Sequence, residues 1–128
     1  MDDDFDWEGT LPPKIPLPDK VIYELHVRGF TVHPSAGVEH PGTYLGLIEK
    51  IPYLARLGVD AIWMSPFYRS PMADAGYDVA DYRDIDPLFG SLSDATALLA
   101  RAKELGLRVI VDLVPNHTSD EHEWFQTA

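Results

Sequence analysis

Two short segments carry side chains that are suited to binding a sugar. They contain, in chain order, Tyr77, Asp78, Asp112, Asn116 and His117. An aromatic ring stacks on the apolar face of a sugar, and carboxylate and imidazole groups form directional hydrogen bonds with its hydroxyls. Each residue taken singly also has a plainer explanation, because Asp and Asn often cap turns and a loop tyrosine often packs. The residue types alone therefore leave a sugar site and ordinary loop structure both open.

Three short β-rich segments predict the strands that would position these residues. They cover residues 21–27, 59–64 and 107–114. The third segment is almost continuously apolar, which predicts burial on both faces, as in a parallel sheet. A connection over residues 65–92 is rich in proline and glycine. Loops of this length are usually functional.

Two segments with apolar residues at helical spacing lie between the predicted strands. The first covers residues 43–57, with Thr43 as its N-cap, and Pro52 predicts either a kink or two short helices. The second covers residues 93–105, with Ser93 as its cap. Each segment is followed by a glycine, which commonly ends a helix.

The resulting order of elements is β-α-β-α-β, with long loops after the strands. We predict an α/β fold with a parallel sheet, an incomplete TIM-barrel fragment from about the first to the third strand, although a doubly wound sheet has the same order. Residues 118–121 resemble a capping box that opens a further helix. We divide the chain into an acidic, proline-rich arm at 1–20, where Phe5 and Trp7 could dock on the body, and a partial (β/α) barrel domain at 21–128.

Composition narrows the classes of function. The 128 residues are half of the ~250 that a closed (β/α)8 barrel needs. The net charge of -11 disfavours partners such as nucleic acid and anionic membrane surfaces. Without cysteine the chain has no disulfide or thiolate chemistry. We see no secretion signal and no apolar run of membrane-spanning length, so we expect a soluble cytoplasmic domain.

The sequence segments around the candidate residues resemble those of one enzyme family. Residues 112–117, DLVPNH, match the first conserved segment of the α-amylase family of retaining, α-glucan-active glycoside hydrolases. Residues 76–82, GYDVADY, are similar to the tyrosine–aspartate element that this family carries after its second strand. The resemblance implies an enzyme barrel that acts on α-glucosidic bonds.

The resemblance changes subfamily along the chain. Residues 58–125 look like α-glucosidase, oligo-1,6-glucosidase or trehalose synthase members, whereas residues 7–57 resemble glycogen-debranching and isoamylase-type members. The first part carries VIYELHVRGFT at 21–31 and HPGTY at 40–44. We therefore predict a recombined or engineered chimera joined near Gly58, with a natural member of mixed ancestry as the alternative.

The resemblance also implies roles for the site residues. His117 matches the residue that hydrogen-bonds the sugar where cleavage occurs, Tyr77 would stack on that sugar, and Asp78 would bind its hydroxyls or a neighbouring arginine. Asp112 and Asn116 match positions that hold the architecture of the site. In some members the asparagine helps to bind calcium. Because the loop at 28–40 has no run of oxygen ligands, we expect no cofactor here, with calcium as the alternative.

The resemblance places the catalytic carboxyl groups elsewhere. A retaining glycosidase needs a nucleophile and an acid/base about 5 Å apart. In the family these follow strands four and five, and the chain contains no Gly-x-Arg-x-Asp segment of the nucleophile type. We expect no catalytic residue and no hydrolysis by this chain alone. A weak α-glucan- or maltooligosaccharide-binding module that uses Tyr77, Asp78 and His117 is the alternative function.

Two further hypotheses concern partners. A metal-binding domain would use loosely spaced ligands, namely His117, Asp120, His122 and Glu123. A three-stranded parallel sheet would also leave two open edges and an uncovered face, which invite association. We therefore expect a homo-oligomer. The residues that would need covering are Ala61, Ile62, Trp63, Val109, Ile110 and Val111.

Overall fold

A computed structural model describes residues 16–128, so the predicted docking of Phe5 and Trp7 lies outside the described residues. Two 3-10 turns, at Leu17–Asp19 and Pro34–Ala36, flank the first elements. The strands are β1 (Ile22–Leu25), β2 (Ala61–Met64), β3 (Tyr68–Arg69), β4 (Asp81–Ile85) and β5 (Arg108–Val111). The helices are α1 (Val27–Thr31), α2 (Tyr44–Leu57), α3 (Leu92–Glu104) and α4 (Glu123–Gln126). No helix of residues 16–128 is long and apolar enough to cross a membrane.

The three predicted main strands form a parallel sheet in the order β1-β2-β5. This arrangement confirms the predicted α/β fold. One face of the sheet packs against the core, where Leu25, Ile62 and Met64 are buried. The other face carries a row in which Glu24 lies beside Trp63 and Trp63 beside Ile110. Trp63 in the middle of this row is 38% exposed, so part of this face is open to solvent in the described residues.

Both outer strands are shorter than predicted. The first ends at Leu25 because the imidazole of His26 accepts a hydrogen bond from the amide of Gly29 and caps α1. In the third, the expectation of burial on both faces is wrong, since Val111 is 44% exposed. Its strand, β5, has a pairing partner only on the β2 side among the described residues, and an edge position leaves side chains uncovered.

The first predicted helix is confirmed at both ends. The hydroxyl of Thr43 accepts the amide of Gly46 at 3.3 Å, and Gly58 takes the left-handed conformation with φ 81°. The expectation of two short helices is wrong, because α2 continues through Pro52. Its neighbours on the core side, Ile51 and Leu54, are fully buried. We attribute the continuity to their packing, which offsets the one backbone hydrogen bond that proline cannot donate.

The cap of α3 is Ser91 rather than Ser93. The Ser91 hydroxyl accepts the amide of Asp94 at 3.3 Å, and a carboxylate oxygen of Asp94 accepts the amide of Ser91 at 2.8 Å. This reciprocal capping box requires an acid three residues after the cap, a condition that Ser91 meets with Asp94. Ser93 lies inside the first turn, with its hydroxyl 2.8 Å from that of Ser91.

The capping box predicted at residues 118–121 is also wrong. Ser119 instead forms a turn, in which its hydroxyl accepts the amide of Glu121 at 3.1 Å. The last helix, α4, begins after His122, whose Nδ1 accepts the amide of Trp124 at 3.0 Å. The amide of Ser119 donates a hydrogen bond to the carbonyl of Val79 at 2.8 Å, and this contact fixes the position of Ser119. This tertiary contact ties the last segment to the connection that follows β2.

The long connection at 65–92 contains structure that the sequence did not predict. Within it β3 and β4 pair antiparallel, with an irregular register between Tyr68 and Arg69. Val79 and Phe89 of this connection are buried. The ribbon fixes both ends of the loop at 70–80, and this loop carries the first of the two candidate segments.

Candidate functional site

Tyr77 joins the two candidate segments. Its hydroxyl donates a hydrogen bond to a carboxylate oxygen of Asp112 at 3.0 Å. This hydrogen bond raises the pKa of Tyr77, and burial and the negative charges of Asp112, Glu24 and Asp74 act in the same direction. The hydroxyl therefore stays protonated and keeps donating at neutral pH. Because 37% of Tyr77 is exposed, its ring is open to a ligand while its hydroxyl is fixed.

His117 is bonded through both of its ring nitrogens. Its Nε2 lies 3.1 Å from the carbonyl oxygen of Tyr77, and its Nδ1 lies 3.1 Å from the side-chain nitrogen of Asn116. A carbonyl can only accept and an amide nitrogen can only donate, so in this arrangement Nε2 acts as the donor and Nδ1 as the acceptor. His117 itself is exposed. To reach a sugar hydroxyl, its Nε2–H would exchange the carbonyl of Tyr77 for that hydroxyl.

Tyr82 anchors the second segment, and no role was predicted for it. Its hydroxyl lies 2.5 Å from the carbonyl oxygen of Val114 and 2.8 Å from that of His117. Burial raises the pKa of Tyr82, which keeps its single donor available to these two carbonyls. Tyr82 belongs to the same GYDVADY word as Tyr77, so the signal was present in the sequence, but its partners are more than thirty residues away.

Asp78 binds its own loop. One carboxylate oxygen, Oδ1, accepts the hydroxyl of Ser70 at 2.7 Å and the amide of Asp74 at 3.1 Å, and Oδ2 accepts the amide of Ala73 at 2.8 Å. Burial on its own would raise the pKa of Asp78, but the hydrogen bonds from Ser70 and from backbone amides outweigh it and lower the pKa. The carboxylate is thus ionised at neutral pH and folds the loop that carries Tyr77.

The loop has a constrained backbone. Met72 and Ala75 adopt φ values of 61° and 54°, a region that residues with a Cβ rarely occupy. At Gly76, with φ 98°, an added Cβ would lie 3.1 Å from the carbonyl oxygen of Pro66. Glycine is therefore required at this position by both conformation and space. Constrained backbone conformations of this kind cluster at binding sites.

The metal hypothesis finds no geometric support. In the part of the chain that the structure describes, no three His, Asp or Glu side chains converge as metal ligands. His122 is buried, with its ring centroid 5.7 Å from that of Tyr82 and 4.7 Å from that of Trp124. Its Nδ1 is already used by the amide of Trp124. Asn116, the residue that could serve calcium, bonds His117.

The site therefore joins four of the five predicted residues by hydrogen bonds, and the fifth bonds within its own loop. Tyr77, Asp112, Asn116 and His117 form one hydrogen-bonded chain, whereas the carboxylate of Asp78 accepts its hydrogen bonds from residues of its own loop. Residues 10–128 match the catalytic domain of the α-amylase family. The chain belongs to the α-amylase family.

Relatives within the α-amylase family are similar over most of the chain. Maltase 1 of Drosophila virilis is 48% identical over 109 residues, which cover 85% of this chain and 17% of that protein. The trehalose synthase/amylase TreS of Mycolicibacterium smegmatis is 45% identical over 127 residues, covering 98% of this chain and 21% of that protein. The chain thus spans about a fifth of the length of these relatives.

Solved α-amylase-family structures share the fold. An α-glucosyl transfer enzyme has a TM-score of 0.75 and 51% identity over 84% of this chain and 19% of its own. The trehalose-6-phosphate hydrolase of Bacillus licheniformis also has a TM-score of 0.75, with 40% identity and the same coverage. These similarities identify the β-α-β-α-β unit as a fragment of the α-amylase TIM barrel.

The resemblance to debranching enzymes and the predicted chimera receive no support from these comparisons. The alignment with the trehalose synthase/amylase covers 98% of the chain and so continues across the predicted joint near Gly58. One relative therefore aligns with both halves of the chain.

Proposed function

We propose that this chain supplies one wall of the sugar-binding site of an α-amylase-family enzyme that acts on small α-glucosides. The observation that carries the proposal is Tyr77, whose aromatic ring is exposed while both its hydroxyl and its carbonyl are hydrogen-bonded. A ring held in this way loses little conformational freedom when a sugar stacks on it. Relatives named maltase, α-glucosidase and trehalose synthase favour α-glucosides as the substrate class.

The roles proposed for the remaining site residues follow from their bonding. Asp112 and Asn116 hold Tyr77 and His117, which fits architectural roles. His117 would offer its Nε2–H to a sugar hydroxyl, and Asp78 would accept a hydroxyl through whichever oxygen its loop leaves accessible. An extended α-glucan or a maltooligosaccharide would bind weakly, because one wall makes only part of the contacts of a closed pocket.

We further propose that these 128 residues do not hydrolyse α-glucosides by themselves. A retaining mechanism needs an ionised nucleophile and a protonated acid. The lowered pKa of Asp78 makes it unsuitable as the acid, and its oxygens already accept donors from its own loop. Asp112 accepts the Tyr77 hydroxyl. The expected result is no release of nitrophenol from p-nitrophenyl α-glucoside above the buffer rate, and measurable turnover would contradict this part of the proposal.

Sugar binding is tested by titration with maltose and trehalose, followed by the backbone NMR signals of the chain. We expect shifts at Tyr77 and His117 at millimolar sugar, and their loss in Tyr77→Ala. Tyr53→Ala is the matched control, because Tyr53 is a half-exposed tyrosine on the outside of α2. If no signal near Tyr77 moves at the highest sugar concentration, or if both variants bind alike, the proposal fails.

A second proposal concerns self-association. Glu24, Trp63 and Ile110 lie in a row on the partly uncovered face of the sheet. Open sheets favour pairing between copies. We expect the solution mass, measured by light scattering over a hundredfold range of concentration, to exceed that of one chain at the upper end. A monomer throughout would contradict it. The cytoplasmic location, the debranching likeness and the chimeric origin remain predictions.

A further inference from the structure

Ser70 stands at the point where β3 gives way to the loop that carries Tyr77 and Asp78. It follows the last residue of β3 and is partly buried. Its hydroxyl donates to Oδ1 of Asp78 at 2.7 Å and accepts the amide of Met72 at 2.9 Å. Its own amide donates to a carboxylate oxygen of Asp86 at 3.2 Å. Ser70 is therefore hydrogen-bonded to both ends of the loop, at Met72 and Asp78, and to Asp86, which follows β4.

We propose that Ser70 is a positioning residue of the sugar-binding site, which fixes the Asp78 carboxylate so that Oδ2 is the oxygen left for a sugar hydroxyl. This inference rests on the proposed function. The two donors on Oδ1, the Ser70 hydroxyl and the amide of Asp74, fill both of its acceptor positions. Oδ2 accepts the amide of Ala73, so the two oxygens are bonded unequally. If only Oδ2 accepts from the sugar, Asp78 binds a hydroxyl that approaches from one direction.

The same contact holds the constrained part of the loop. Met72 and Ala75 have positive φ values and lie between Ser70 and Asp78. Such conformations persist only where surrounding contacts over-determine them. Tyr77 directly precedes Asp78, and the carbonyl of Tyr77 lies against Nε2 of His117. A shift of the Asp78 carboxylate would therefore also move Tyr77 and His117.

Two substitutions separate a positioning role from a structural one. Ser70→Ala removes the donor to Asp78, and Ser70→Thr keeps a hydroxyl at the same place. A hydrogen bond to the charged form lowers a pKa, so its loss raises the pKa. We therefore expect the pKa of Asp78, measured by carboxyl-carbon NMR titration, to rise in Ser70→Ala and to return towards the original value in Ser70→Thr. Asp86 provides an internal control, because it bonds the amide of Ser70 and not its hydroxyl.

Sugar affinity provides the second readout. We expect the Kd for maltose to rise about tenfold in Ser70→Ala, as for one lost charge-assisted hydrogen bond, and to recover within about threefold in Ser70→Thr, a shift of less than 1 kcal/mol. Ser93→Ala, a change at an exposed serine hydroxyl on α3, should leave both the Kd and the pKa of Asp78 unaltered.

The outcomes distinguish this inference from the function on which it rests. If the original chain binds no maltose, the proposed function fails, while the pKa of Asp78 still tests the contact with Ser70. An unchanged pKa of Asp78 in a folded Ser70→Ala chain overturns the inference, and so does a loss of affinity that Ser70→Thr fails to restore. If Ser70→Ala does not fold, Ser70→Cys takes its place, because a thiol keeps the shape but is a weak donor.

Discussion

Tyr44 presents an unsatisfied polar group in the core. The residue is fully buried at the start of α2, and its hydroxyl has no hydrogen-bond partner in the described part of the chain. The ring packs edge-on against Phe67, with centroids 6.0 Å apart. Burial, and secondarily the neighbouring Tyr68, raise the pKa of Tyr44 far above that of an ordinary tyrosine. The hydroxyl is thus a permanently neutral group that has left water without replacement bonds.

Replacing Tyr44 by phenylalanine should stabilise the protein. An unpaired buried polar group costs about 1–3 kcal/mol, and Tyr44→Phe removes it while keeping the ring and its contact with Phe67. The missing hydroxyl leaves a small gap that offsets part of this gain. We expect the free energy of unfolding to rise by about 1 kcal/mol. For a domain of this size the melting temperature should rise by about 4 °C.

Urea unfolding followed by circular dichroism measures this change. The midpoint should move upward while the dependence on urea stays the same, since the area exposed on unfolding is unchanged. Tyr53→Phe is the matched control, because that tyrosine lies on the same helix and is 50% exposed. Its effect should stay within about 0.5 kcal/mol. A Tyr44→Phe chain that is less stable than the original would refute the reasoning and indicate a buried water on the hydroxyl.

Four further changes have defined outcomes. Gly46→Ala should cost roughly 3 kcal/mol in urea unfolding, because the new Cβ would clash with the carbonyl oxygen of His40. Ser91→Ala removes the cap of α3 and should cost about 1 kcal/mol in the same assay. Ala75→Gly relieves a left-handed backbone and should gain roughly 0.5 kcal/mol, the difference between strain relieved and entropy added. The lowered pKa of Asp78 means that its stabilisation is present above its unfolded value, about 3.9, and is lost as the pH falls through the folded value. Unfolding measured between pH 2 and 5 should therefore depend less on pH in Asp78→Asn.

The features predicted correctly from the sequence are those with local causes. Thr43 and Gly58 bound α2 as expected, because a cap and a left-handed stop each depend on a few adjacent residues. The position of Ser91 could also have been predicted, since the acid three residues later distinguishes it from Ser93. The continuity of α2 through Pro52 depends on tertiary packing and was beyond a local pattern.

The candidate site shows the same division. The types of Tyr77, Asp78 and His117 suggested sugar chemistry, but their bonding partners could not be read from the sequence. The contact between Tyr77 and Asp112 spans 35 positions, and it forms only because the loop after β2 folds towards the end of β5. The β3–β4 ribbon was missed because two residues, Tyr68 and Arg69, are too few to show an alternating pattern.

The partly exposed face of the sheet carries a natural fluorescence reporter. Trp63 lies in the middle of the row on that face, and its indole emission depends on how much water surrounds it. Any polypeptide that binds this face, whether a second copy or a different segment, should move the emission to shorter wavelength and protect the indole from quenching by acrylamide. The other tryptophans, Trp7 and Trp124, can be replaced by phenylalanine to leave a single reporter. Coverage of the sheet then becomes a quantity that can be followed in real time, without a label.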